Sequence, residues 1–208
     1  MTTVKGALIL LLASLLPAAD NLQIFDHQWS VPTGGDWEIR KEDGAPILHM
    51  KTGREPLASG PRRPFQFALA DAGPFSKVTV DADVRPLKRS VMIVYAYRDP
   101  AHFDYAHISA DIKVPVHNGI FHVYGGERVR ISPERGPAAF PEINRWYHVK
   151  LVHDGATGAV DVTVDGKPVP ALHAVDLSLT TGKIGIGSFN ETGDFKNVKI
   201  SGVPASGS

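Results

Sequence analysis

The chain has 208 residues, no cysteine, and 22 basic against 22 acidic residues, for a formal net charge of zero. Neutrality argues against the broad basic face that a nucleic-acid backbone requires, and against electrostatic docking on an anionic membrane. Disulfides are excluded too, so the fold stands on its hydrophobic core, and the length suffices for one domain.

The first residues read as an export signal. Lys5 is a short basic region, Gly6 to Leu16 is an apolar run rich in leucine, and Pro17-Ala18-Ala19 closes it with small residues. At about eleven residues the run is too short for a permanent membrane span, which needs roughly 20. Cleavage near Ala19 is expected, giving a secreted or periplasmic protein with no membrane association afterwards. The alternative is a buried N-terminal helix or a retained anchor. One domain is then expected over residues 20–202, followed by a polar tail at 203–208 that frays.

Gly (20) and Pro (16) are spread through the rest, which disfavours helix. Short alternating runs predict strands at Leu22–Phe25, Trp37–Arg40, Ile47–Lys51, Phe65–Leu69, Lys77–Arg85, Val91–Arg98 and Phe103–Ser109. Further strands are predicted at Gly119–Tyr124, Arg128–Ile131, Trp146–His153, Ala159–Val164, Lys183–Phe189 and Phe195–Ser201. The clearest stretch is Trp146 to Val169. There Val149 and Leu151 alternate with His148 and Lys150, and Asp165-Gly166 supplies the positive φ angles of a tight hairpin. Many short strands with regular turns imply an all-β fold, a sandwich or barrel. Two long irregular segments, Thr52 to Pro64 and Ser132 to Asn144, either rim a binding face or are solvated excursions.

The Trp-led strand that runs through a turn to a strand ending in Val-Asp-Gly, the closing GKIGIGSFNETGDFKNVKISG at residues 182–202, and VYAYRDPAHFDYAHIS at residues 94–109 carry a resemblance. Together they are similar to the concanavalin A-like lectin/glucanase superfamily, and look nearest to secreted 3-keto-disaccharide hydrolase-like, or family 16 glycoside hydrolase-like, domains. The resemblance implies a two-sheet antiparallel jelly-roll sandwich and a carbohydrate partner, an oligo- or polysaccharide. The Glu-x-Asp-x-x-Glu strand of true family 16 glucanases is missing, and no convincing carboxylate pair stands in for it, which disfavours glucanase chemistry.

The titratable residues concentrate between Arg98 and Glu127. On the strand at Phe103–Ser109, Ala106 and Ile108 suit the core, leaving Phe103, Tyr105 and His107 on the other face. On Gly119–Tyr124, Phe121 and Val123 suit the core, leaving Ile120, His122 and Tyr124 outside. If the two strands are neighbours, one polar face, expected on the concave sheet, collects Tyr105, His107, His122 and Tyr124, with Arg98 and His117-Asn118 at its edge. Tyr105, His107, His117 and His122 are then the candidate acid–base groups. Arg98, Asn118, Tyr124, Arg62 and Arg63 are the candidate substrate contacts, the arginines suiting an acidic sugar. Two or three histidines with Asp104 or Asp111 are an alternative divalent-metal set, though no local metal motif occurs. Asp26 and Asp194, near the two ends of the domain, are a candidate structural calcium pair, the alternative being two turn residues. Trp29, Trp37 and Trp146 are either sugar platforms or core residues.

Three functions follow from this pattern: a glycan-cleaving hydrolase or lyase, a non-catalytic carbohydrate-binding module, and a structural interaction domain. The concentration of titratable groups favours the first. Oligomeric state is not set by the sequence.

Overall fold

A computed structural model describes residues 20–206; the expected export segment at residues 1–19 and the last two residues lie outside the described residues. The described residues form fifteen strands, beginning with β1 (Asp20–Ile24), β2 (His27–Val31), β3 (Trp37–Glu42), β4 (Ala45–Met50) and β5 (Phe67–Ala70). The central strands are β6 (Phe75–Pro86), β7 (Ser90–Asp99), β8 (His102–Ser109), β9 (Gly119–Tyr124) and β10 (Arg128–Arg130). β11 (Tyr147–Asp154), β12 (Ala159–Val164), β13 (Lys167–Val175), β14 (Lys183–Gly187) and β15 (Gly193–Pro204) complete the fold. They form an eight-stranded sheet A, in the order β1-β2-β5-β14-β7-β8-β9-β10, and a seven-stranded sheet B, in the order β13-β12-β11-β6-β15-β4-β3. Every strand pairing is antiparallel.

Local sequence chemistry sets the hairpins. Asp165 (φ 49°) and Gly166 (φ 75°) turn β12 into β13 with the two positive φ angles that match strand twist. Phe25 (φ 55°) and Asp26 (φ 61°) do the same between β1 and β2 without a glycine. The Trp29 indole donates to the carbonyl of Ile24 at 2.9 Å and locks that hairpin.

The main core lies between the sheets. Val78, Val80, Ala82 and Val84 of β6 face it, with Val149 and Leu151 of β11 and Ile93 and Ala106 of sheet A. A second apolar layer covers the far side of sheet A and comprises Phe67, Met92, Val94, Phe103, Tyr105, Phe121 and Val123. Sheet A is therefore apolar on both faces, which decides how its side chains can be read.

Three elements differ from the sequence expectation. β2 and β13 are additional strands, and β13 holds Pro168 and Pro170 because it is the edge of sheet B, where a missing N–H costs no ladder bond. The tail expected to fray from residue 203 begins in strand β15 instead. Val203 pairs with Lys77 and Pro204 with Phe75, and the Ala205 amide donates to the Pro74 carbonyl at 2.9 Å.

Candidate functional site

The segment between β4 and β5 lies along the outer side of sheet A and is fastened at its base. Buried Asp36 accepts from Arg54 through Nε at 2.5 Å and Nη2 at 2.7 Å, and from the Gln66 amide at 2.9 Å. Gln66, fully buried, also bonds the backbone at both Thr52 and Arg54. At the segment's far end the Arg128 amide donates to the Arg62 carbonyl at 3.1 Å. Arg62 is thereby held beside β10. Replacing Asp36 with alanine removes the carboxylate from this clamp. The expected loss is about 1–2 kcal/mol, or roughly 2–8 °C in Tm for a domain of this size, with faster proteolysis inside residues 52–66. Thermal scans and limited digestion measure both.

Arg62 and Arg128 meet over one ring. The Arg128 guanidinium carbon stands 4.2 Å from the Phe189 centroid and 4.6 Å from that of Phe121, and Arg62 stands 5.1 Å from Phe189. Arg128 also donates to the Tyr105 hydroxyl at 3.1 Å. Neither arginine forms an ion pair with a carboxylate among the described residues, whereas Arg40, Arg54, Arg85 and Arg89 each do. Below them opens a pocket of about 60 Å³, lined also by Arg89, Ser90, His107 and His117. Its one carboxylate is Glu191, which is buried and accepts from Arg89 Nε at 2.6 Å, the Arg89 amide at 2.9 Å and the Ser90 hydroxyl at 2.9 Å. Three guanidinium groups thus face one already neutralised carboxylate.

The pocket's two histidines are unlike. His107 is buried, its Nδ1 bonds the His117 carbonyl, and burial drives its pKa down to about 3, so the ring is neutral. His117 is about a third exposed, and its Nδ1 lies 3.1 Å from Asp111. Asp111 is fixed as a carboxylate: amides of Lys113 and Val114 donate to its other oxygen and hold its pKa down against the opposing effect of burial. No hydrogen bond engages His117 Nε2 among the described residues. Tyr105 has its phenol pKa pushed up to about 12 by burial, so it stays protonated.

The expected four-residue face is not assembled. Across β8 and β9, Tyr105 pairs with Phe121 and His107 with Gly119, while His122 pairs with Asp104. Phe121 and Val123 lie in the outer layer with Tyr105, and Ile120 lies in the main core, so the two faces of β9 are reversed from the expectation. His122 consequently turns to the inner side, away from His107. Tyr124 stacks on His122, with centroids 5.5 Å apart. Arg98 is exposed at the end of β7, where its Nε reaches the Thr181 carbonyl at 3.5 Å, outside the pocket. Asn118 is buried and spent on the Ser109 amide and the Pro137 carbonyl. Arg63 points to the Gly126 carbonyl at 3.4 Å.

The calcium pair is also not built. Asp26 is an exposed turn residue of sheet A. Asp194 is fully buried on sheet B, where Arg40 and Arg85 donate to it and His49 lies 2.6 Å away. With cationic guanidiniums on both oxygens there is no room for another cation. Trp29 and Trp37 are buried, and Trp146 is covered by Arg85 at 4.4 Å and Lys196 at 4.2 Å, so no tryptophan offers an open platform.

Sequence reasoning selected His107, His117 and Arg62 for this pocket but missed Arg89, Arg128, Phe189 and Glu191. Arg128 and Phe189 were visible only as strand residues. The antiparallel order that brings residue 189 beside residue 128 has no local signature.

No family model matches the chain, and no curated protein matches it. Among solved structures it is similar to the carbohydrate-binding module CBM66 from Bacillus subtilis, with a TM-score of 0.56 and 16% identity over 80% of this chain and 95% of that one. A Parabacteroides distasonis protein provisionally assigned as a glycosyl hydrolase gives a TM-score of 0.55 and 14% identity over 82% of this chain and 92% of that one. Such low identities establish fold alone, and with the two-sheet topology that fold is an antiparallel jelly-roll sandwich.

Proposed function

We propose that the protein is a carbohydrate-binding module whose pocket on the outer face of sheet A takes an anionic sugar substituent, a carboxylate or sulfate. The observation that carries this reading is the pair of guanidiniums of Arg62 and Arg128, without carboxylate partners and held over Phe189 at the pocket mouth. Planar guanidinium forks match carboxylate and sulfate geometry, and stacking on an aromatic ring fixes their orientation before the ligand arrives. A pocket of about 60 Å³ has room for roughly four waters, hence for one such substituent. The fold likeness to a carbohydrate-binding module supports the ligand class by analogy. Glycosidase chemistry needs two apposed carboxylates, and Glu191, already occupied, is the pocket's only one.

A second reading rests on the Asp111–His117 pair. An aspartate that orients histidine Nδ1 and leaves Nε2 free is the arrangement of a general base. Beside unpaired arginines it suits β-elimination from a uronate: His117 takes the proton next to the carboxylate, and the glycosidic oxygen at the β carbon leaves with the electron pair. The two readings separate in one experiment. Acidic and neutral oligosaccharides are incubated with the protein, and both binding and product mass are read. Saturable binding to acidic members with intact ligand is expected. An unsaturated fragment that disappears in His117→Ala selects the lyase, and equal binding of neutral members contradicts the anionic pocket.

A further inference from the structure

On the other side of sheet A, three side chains converge in the space between the sheets. Asp104 on β8 is 1% exposed. His122 on β9 lies across from it, with Nδ1 2.6 Å from Asp104 Oδ1. Asp176, just beyond β13, brings Oδ2 to 3.1 Å from the same nitrogen. One ligand atom from each residue falls within 4.8 Å of the others. The His122 and Asp176 side chains are 15% and 19% exposed, so the cluster is sheltered yet reachable.

Two further polar groups face this end of the sandwich interior. Tyr95, cross-strand from Asp104, is 1% exposed, and His153 on β11 is 2% exposed, their rings 4.8 Å apart. No side-chain hydrogen bond reaches the Tyr95 hydroxyl or the His153 ring among the described residues. Both feel the charge of Asp176, and Tyr95 that of Asp104 as well.

We infer that Asp104, His122 and Asp176 form a divalent transition-metal site of the zinc class, which ties the two sheets together. One nitrogen and two carboxylate oxygens are a three-ligand set that zinc accepts, with a water or a fourth group completing the tetrahedron. Ligand atoms around tetrahedral zinc stand about 3.4 Å apart, within the compass of this cluster. The mixed donors and small number of oxygens disfavour calcium, which takes six to eight oxygens. Asp104 and His122 belong to β8 and β9 of sheet A, while Asp176 follows the edge strand of sheet B. The ion would therefore join the sheets where the chain, lacking cysteine, has no disulfide to do so.

The test uses untagged, chelator-dialysed protein titrated with zinc chloride at neutral pH by calorimetry and thermal scanning. One saturable site is expected. At a hundredfold excess over Kd, Tm should rise by about 5–10 °C, since that excess contributes about 2.7 kcal/mol and each kcal/mol moves Tm by 2–4 °C. His122→Ala should abolish the shift and Asp176→Asn should weaken binding at least tenfold. Both positions are partly exposed, so these variants are expected to fold. His173→Ala, at an exposed histidine paired with Asp161 on the outer side of sheet B, should change nothing. Absence of saturable zinc binding overturns the inference, as does binding that survives both variants. An equal Tm rise with calcium overturns the metal class.

Discussion

Replacing Asp194 with asparagine should lower stability by about 3 kcal/mol, the low end for breaking a buried ion pair by removing one partner. In this fold that is roughly 6–12 °C in Tm. Asp194 is fully buried and accepts from Arg40 Nη2 at 3.0 Å on both oxygens and from Arg85 Nε at 2.7 Å, with His49 Nδ1 at 2.6 Å. Its cross-strand neighbours in sheet B are His49 on β4 and Arg85 on β6, so the carboxylate joins three strands. Asparagine keeps the shape and loses the charge. Arg85, only 16% exposed, would then rely on Glu42 alone. Arg40→Ala should cost less, about 1 kcal/mol, because the pair it removes is partly exposed and Arg85 and His49 still hold the buried carboxylate. Chemical denaturation of the two variants in parallel measures the contrast. Equal losses would mean that Asp194 acts as one surface pair among many.

The second large effect concerns acid. A histidine of the unfolded chain has a pKa near 6.5, and the folded His107 is held down to about 3 by burial, with Arg128, His117 and Arg89 adding to the effect. The unfolded state therefore binds the extra proton first. Below pH 6.5 each unit of acidification favours unfolding, until the folded group itself titrates. Between pH 7 and pH 4 this removes about 3 kcal/mol. His107→Gln keeps a donor for the His117 carbonyl and cannot titrate, so its stability should fall less over the same range by about that amount. His153 shifts in the same direction, again through burial. Burial raises Asp104 to about 6, and the hydrogen bond to Asp104 raises His122. These two raised groups oppose His107, because the folded state then holds the protons and gains stability at lower pH. The difference between wild type and His107→Gln isolates the one residue. Denaturant titrations at four pH values read it, and parallel profiles for the two proteins would contradict the buried neutral ring.

His107 and His153 are set apart in another way. His27, His49, His102, His117, His122, His148 and His173 each have an aspartate within ion-pair distance. His107 and His153 have none, and they are the two buried ones. The sequence shows nine histidines and many aspartates, but the pairs are mostly cross-strand or through a turn. Only a strand register reveals which partner each ring receives.

Strand chemistry was readable because it is local. The alternation of β11 and β12 and the Asp165-Gly166 turn need no distant residue to interpret. β13 was missed because Pro168 and Pro170 argue against a strand unless it is an edge, and edge position is a global fact. The face of β9 was misread for a different reason. Ile120, Phe121, His122, Val123 and Tyr124 place apolar groups on both parities. Hydrophobicity identifies the inner face only when the other face meets water. In sheet A the outer face is itself an apolar layer, so Phe121 and Val123 point out as legitimately as Ile120 points in. That reversal separated His122 from His107 and joined it to Asp104 and Asp176. The pocket was half legible: a long Arg-bearing segment and a histidine-rich strand drew attention, while Arg128 and Phe189 gained meaning only from the folded neighbourhood.

The most direct test of the anionic-sugar pocket is calorimetric titration with two oligosaccharides that differ only at one carboxylate, a uronate and its carboxyl-reduced counterpart. Wild type should bind the uronate, more weakly as salt screens the charge, and lose at least tenfold with the reduced sugar. Arg128→Ala should lose a similar factor for the uronate, about 1.5–3 kcal/mol for a charge-assisted hydrogen bond, and show little change for the reduced sugar. Equal affinity of wild type for the two sugars, or a uronate affinity untouched by Arg128→Ala, would contradict the proposed site.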